Sequence, residues 1–127
     1  MDFSASHRVW RPDWDLQQNQ AVFGPRASSA GHGHNYVLEV TLSGALDEET
    51  GMVMNLTHLK DIMDQEIGSR FDHRNLNEDT SGFQGGLPTA ENLALLVFDL
   101  LDAALPDALL HRVRLRPVDD LWVEVSR

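Results

Sequence analysis

From Tyr36 to Leu42 the chain alternates without a break: Tyr36, Leu38, Val40 and Leu42 fall on one side, Val37, Glu39 and Thr41 on the other. Successive side chains of a strand point to opposite faces, so this segment belongs in a sheet with one face buried and the other polar. The same period returns near the C-terminus. There Val113 and Leu115 alternate with Arg112, Arg114 and Arg116, and Leu121, Val123 and Val125 alternate with Trp122 and Glu124. Asp119-Asp120 separates these two runs and reads as the turn of a hairpin. A fourth strand is expected at the N-terminus, over residues 2–9.

Between the strands the apolar period becomes helical. Leu56, Leu59, Met63, Ile67 and Phe71 form one stripe, with Asn55 placed to cap it. A second helix opens at Pro88-Thr89, carries Leu93, Leu96, Val97, Leu100, Leu101 and Ala104 on one face, and stops at Pro106. Residues 11–31 and 75–87 show neither period and read as loops over a site. The order strand, strand, helix, helix, strand, strand predicts an α+β fold: one domain over residues 1–127, with two helices on one face of a four-stranded antiparallel sheet. The other face then needs cover, and edge pairing between subunits would supply it in a homo-oligomer.

Charge and composition narrow the function. Ten Lys and Arg against twenty Asp and Glu give a formal charge of −10, so nucleic acid and anionic membrane surfaces begin by repelling the chain. No apolar run approaches the roughly 18 residues of a spanning helix, and the N-terminus lacks the basic-then-apolar pattern of a signal peptide, so a cytoplasmic location is expected. The absence of cysteine removes disulfides, thiolate metal ligands and a thiol nucleophile together.

Histidine carries the strongest chemical signal. His32 and His34 are two apart in Gly-His-Gly-His and project to the same side of an extended segment, while His7 lies on the expected first strand. Three imidazoles converging in this way leave an open fourth position, the arrangement of catalytic zinc. The alternative is a glycine-rich turn with surface histidines. Asp72-His73 follows the first helix. A carboxylate beside an imidazole makes a base near neutral pH, and a histidine stabilised by the helix C-terminus is the competing explanation. His58, opposite the apolar stripe, and His111, expected between elements, are read as exposed and without function. Glu91 in the first turn of the second helix needs only the helix dipole to explain it.

Five motifs occur in order along the chain: Phe3-Ser4-Ala5-Ser6-His7-Arg8, Gly31-His32-Gly33-His34-Asn35-Tyr36, Thr50-Gly51-Met52-Val53-Met54-Asn55-Leu56, Asp72-His73-Arg74-Asn75-Leu76-Asn77 and Pro88-Thr89-Ala90-Glu91-Asn92. Together they resemble the 6-pyruvoyl-tetrahydropterin synthase family and the related 6-carboxytetrahydropterin synthases. The resemblance implies a tunnelling fold whose sheets close an oligomeric barrel, as a trimer or as two trimers stacked into a hexamer. It implies zinc on His7, His32 and His34, where the side-chain hydroxyls of 7,8-dihydroneopterin triphosphate would bind. It also implies proton movement by a cysteine and an Asp-His pair, here Asp72 and His73, and ring binding by Thr89 and Glu91.

The chain departs from that family in three places. Arg26 stands where the family's cysteine is expected; a guanidinium stays protonated and cannot act as a base, but it can hold a phosphate or carboxylate. Pro117 stands where a glutamate would pair with the amino-pyrimidinone edge of a pterin, leaving Asp119 as the nearest carboxylate to compensate. Only a stub of strand precedes His7, which is expected to weaken pairing between subunits. The leading expectation is therefore a zinc-dependent lyase acting on a reduced pterin. Its rivals are a zinc- and pterin-binding paralogue without turnover, and an enzyme redirected to a substrate whose acidic group meets Arg26.

Overall fold

The structure, a computed structural model, describes residues 1–83 and 86–127. Five strands, β1 (Asp2–His7), β2 (His32–Leu42), β3 (Arg74–Asn75), β4 (Leu110–Val118) and β5 (Leu121–Ser126), form one sheet in the order β3-β1-β2-β4-β5. The three alternating segments and the N-terminal strand are all present. β1 pairs with β2, β2 with β4 and β4 with β5, each antiparallel. Val118 faces Leu121 across the Asp119-Asp120 turn, closing the expected hairpin. The four-stranded antiparallel expectation is corrected by β3, which adds a fifth strand parallel to β1 through Ala5↔Arg74 and Ser6↔Asn75. Two residues are too few to show a period, so nothing local announces this strand. The first strand also ends at His7, because the Val9 N–H turns away to the Arg26 carbonyl at 2.9 Å.

Paired residues directly opposite one another share a face. Phe3 opposes Tyr36, Ala5 opposes His34 and His7 opposes His32, so these six side chains lie on one side. That side is the core. Phe3, Tyr36, Leu38, Val113 and Leu115 are buried there with Leu59, Met63, Ile67 and Phe71 from one helical segment and Leu93, Val97 and Leu101 from the other. The opposite face carries Ser4, Asn35, Glu39, Arg114 and Glu124, joined by a Ser4 to Asn35 hydrogen bond of 2.7 Å and an Arg114–Glu124 ion pair of 2.6 Å.

The helices are α1 (Leu16–Phe23), α2 (Leu56–Met63), α3 (Ser69–Phe71) and α4 (Ala90–Ala104). Asn55 caps α2 by accepting the Thr57 N–H at 2.9 Å, and Thr89 caps α4 by accepting the Asn92 N–H at 3.2 Å. A π turn over Asp64–Gly68 joins α2 to α3. Its cause is visible in the stripe: Leu59, Met63, Ile67 and Phe71 are each four residues apart, a step that overshoots an α-helical turn by about 40°. One wider turn absorbs that drift and keeps Ile67 and Phe71 in the core. Leu56, expected in the same stripe, lies instead at 75% exposure beyond its end. His58 is exposed as expected, whereas His111 lies within β4 rather than between elements.

Residues 11–31, expected as loop, contain α1 and a 3-10 turn over Gly24–Ala27. Asp15 caps α1 by accepting the Gln18 N–H at 2.7 Å. Only Asn19 of α1 is buried. Its side chain accepts the Arg11 N–H at 2.8 Å and donates to the carbonyls of Arg11 at 3.0 Å, Asp15 at 3.0 Å and Trp14 at 3.3 Å. This arch is thus latched by one polar side chain in place of an apolar stripe. Of the second expected loop, residues 84 and 85 lie outside the described residues.

Candidate functional site: a three-histidine cavity

His7, His32 and His34 each offer a ring nitrogen, and these atoms lie within 4.8 Å of one another. Strand pairing brings them together, since the His7↔His32 and Ala5↔His34 register sets all three rings on the core face at the end of the sheet. His7 Nδ1 lies 2.6 Å from the Pro88 carbonyl just before α4, so Nδ1–H donates there and the Nε2 lone pair is left to face the other rings. His7 Nε2 is 3.0 Å from His32 Nε2. Two imidazole lone pairs that close repel unless a proton or cation is shared between them. Ligand nitrogens on one tetrahedral zinc stand about 3.4 Å apart, so the spacing and the fixed tautomer fit that ion.

The surroundings favour neutral rings. Burial pushes the His7 pKa below the ordinary histidine value against the opposing pull of the Pro88 hydrogen bond, and the charges of His32 and Arg26 lower it further. Burial also lowers His34, with His7, His32 and Arg26 adding to the effect, and lowers His32, with Arg26 contributing. Neutral imidazole is the form that binds a metal.

His7 and His34 open onto a cavity of about 230 Å³ whose wall includes Arg26, Tyr36, Thr89, Glu91, Pro117 and Leu121. Arg26, Thr89 and Glu91 therefore line the same cavity as His7 and His34. The Thr89 hydroxyl accepts from Asn92, which leaves its own proton free for a ligand. Tyr36 was missed as a wall residue because alternation marks it only as core; its hydroxyl is buried with no hydrogen-bond partner among the described residues, and burial raises its pKa.

Three expected site residues, Asp119, Asp72 and His73, fall elsewhere. Asp119 lines an adjoining recess of about 350 Å³ with Gly33, Asn35 and Arg116, on the far side of Pro117 from Thr89 and Glu91. His73 lines a third recess, of about 460 Å³, bordered by Ser4, Ser6, Gly33 and Asn35 and also by Ala5 and His34. Ser4, Ser6, Gly33 and Asn35 face away from the core, whereas the β1–β2 register points the Ala5 and His34 side chains toward it, so Asp72-His73 and the histidine trio lie on opposite faces of one protomer's sheet. Asp72 Oδ1 accepts the Ser4 N–H at 2.9 Å, and the His73 N–H donates to the Ser4 carbonyl at 2.6 Å. Asp72 Oδ2 is 3.7 Å from His73 Nε2, an ion-pair separation rather than a hydrogen bond. His73 holds φ 59°, so a left-handed residue aims its exposed ring outward.

A one-sided α+β sheet with three strand-borne histidines at its end and a cavity under the first turn of α4 defines a tunnelling-fold protein. Solved and curated proteins agree. The chain superposes with TM-score 0.93 on a Caenorhabditis elegans 6-pyruvoyl tetrahydropterin synthase, at 33% identity over 100% of this chain and 91% of that one. It is 38% identical over 121 residues to a 6-pyruvoyl tetrahydrobiopterin synthase of Dictyostelium discoideum, covering 95% of this chain and 87% of the relative. The human protein of the same name is 39% identical over 120 residues, 94% of this chain and 83% of its own length. The pattern described as 6-pyruvoyl tetrahydropterin synthase matches residues 1–127. This chain belongs to the 6-pyruvoyl tetrahydropterin synthase family.

Proposed function

We propose that the chain is a zinc-dependent carbon–oxygen lyase of pterin biosynthesis, acting on dihydroneopterin triphosphate or a related reduced pterin. The observation that carries this is the cluster of His7, His32 and His34 nitrogens within 4.8 Å of one another on a cavity that Thr89 and Glu91 also line. Zinc on the three histidines would acidify a substrate hydroxyl bound to it. Glu91 and the Thr89 hydroxyl, at the start of α4, would take up the donors and acceptors of the ring edge. Pro117 has no side-chain polar atom for that edge, and Asp119 lies in the adjoining recess, so ring recognition falls to Thr89 and Glu91.

His73 is the proton-moving residue in this function, and Asp72 holds its backbone against β1. Because the pair faces away from the histidine trio of its own protomer, it would serve the cavity of a neighbouring copy. The short outer strand β3 and the free edge of β5 suit a trimeric or hexameric barrel assembled by sheet edges. Among the described residues no helix is long and apolar enough to cross a membrane, and a cytoplasmic location accompanies the proposed activity.

The zinc-loaded protein incubated with dihydroneopterin triphosphate should release triphosphate, and H73A should lose that release while keeping its zinc. Absence of release from the unsubstituted protein at high enzyme concentration refutes the lyase. Arg26 in place of a thiol favours a second possibility, a pterin-binding paralogue without turnover; it is supported if the pterin binds the zinc form with no release, and if R26C then creates turnover.

A further inference from the structure

Arg26 is placed with unusual care for an exposed residue. Its carbonyl accepts the Val9 N–H at 2.9 Å, and the next carbonyl, that of buried Ala27, accepts Arg8 Nε at 3.0 Å. Both ties fasten the 3-10 turn to the chain just after His7. The guanidinium end is free: Arg26 has no ion pair or side-chain hydrogen bond among the described residues, and it differs from Arg74, Arg112 and Arg116, which also lack an ion pair there, in facing the histidine cavity. It lines the same cavity as His7 and His34. A fixed cation beside ligands suited to a divalent ion repels that ion; Glu91, the carboxylate on the same wall, makes no ion pair with Arg26, so an anionic group of the ligand lying between guanidinium and metal would offset the repulsion.

Taking the metal site proposed above as given, we propose that Arg26 is the receptor for an oxyanion of the ligand, a phosphate or a carboxylate, seated between the guanidinium and the three-histidine centre. The planar fork of arginine suits either group through paired N–H donors. The ligand class follows. It carries an anionic group within a few bonds of the oxygen that binds the metal, as a phosphate ester next to a side-chain hydroxyl does, or a 2-oxo or 2-hydroxy acid, and a neutral polyol is a poor ligand.

The full chain loaded with Co²⁺ provides the test, because the visible cobalt spectrum responds to anions entering its surroundings without any turnover. Inorganic phosphate and pyruvate are titrated separately at fixed ionic strength, with cobalt content measured for each variant. The expected result is one cobalt per chain in the unsubstituted protein and in R26A. One of the two anions then gives a saturable spectral change whose affinity falls about tenfold or more in R26A and less in R26K. Preference for phosphate identifies the ester class and preference for pyruvate the acid class. Stoichiometric cobalt with equal anion affinity in the unsubstituted protein and R26A, or no saturable change with either anion, overturns the role of Arg26 alone. A chain that takes no cobalt overturns the metal site and this receptor with it.

Discussion

Replacing Asn19 with leucine keeps the branching of a fully buried side chain and removes its polar atoms. In the native chain those atoms satisfy one N–H and three carbonyls of the arch between Arg11 and Asp15. The Asp15 carbonyl retains the helical N–H of Asn19 and the Arg11 carbonyl retains the Trp14 N–H, both at 3.1 Å, so two backbone groups lose their partner outright: the Arg11 N–H and the Trp14 carbonyl. At about 1 kcal/mol for each group left without a partner, N19L should destabilise the protein by about 2 kcal/mol. For a chain of this size that corresponds to a fall of about 8 °C in melting temperature. Thermal unfolding followed by circular dichroism measures the global effect. Limited trypsin digestion reports local opening at the Arg26–Ala27 bond, which follows the latch; the Arg11–Pro12 bond resists trypsin. A melting temperature within about 2 °C of the parent, together with unchanged cleavage after Arg26, would show that the arch does not depend on Asn19.

Gly31 holds φ 71°, and a Cβ there would meet the His7 carbonyl oxygen at 3.0 Å; G31A should cost about 1–2 kcal/mol in urea denaturation and weaken the proposed zinc binding in a competition assay, because the strain falls where β1 and β2 bring His7 and His32 together. Y36F removes a buried hydroxyl that has no partner among the described residues, so its stability should equal the parent's or exceed it by up to about 1 kcal/mol; a loss above that size would show that the hydroxyl is satisfied in solution. Burial holds His7 below its ordinary pKa, so as pH falls through about 6.5 the unfolded chain takes up a proton that the folded chain resists. The metal-free protein should therefore keep its stability above about pH 6.5 and lose it below, and H7Q should show a smaller loss between about pH 7.5 and about pH 5 when melting temperatures are compared.

Legibility in the sequence tracked how far each element depends on its own pattern. β2, β4 and α4 bury one regular face and β5 half-buries Val123 and Val125, and their apolar periods announce them. The histidine trio was readable because residues two apart on a strand share a side and β1 was recognisable as a neighbour. β3 exists only because the chain leaving Phe71 lies beside β1, and α1 buries only Asn19 and is held by polar bonds and the Trp14–Phe23 stack, so neither has an apolar period to find. The Asp72-His73 motif was visible, but its face was not: that depends on the parallel β1–β3 register, a tertiary fact that no local spacing encodes. Asp119 was linked to ring binding from its nearness to Pro117 in sequence, and the hairpin turn carries it past the cavity wall.

The π turn at Asp64–Gly68 has a consequence for length variation. A helix with such a turn holds one residue more than its rise requires, and removing that residue restores ordinary winding without rotating what comes before or after it. Single-residue deletions should be tolerated there, while the same deletion in α4, which has no slack, would turn Leu101 out of register with β4.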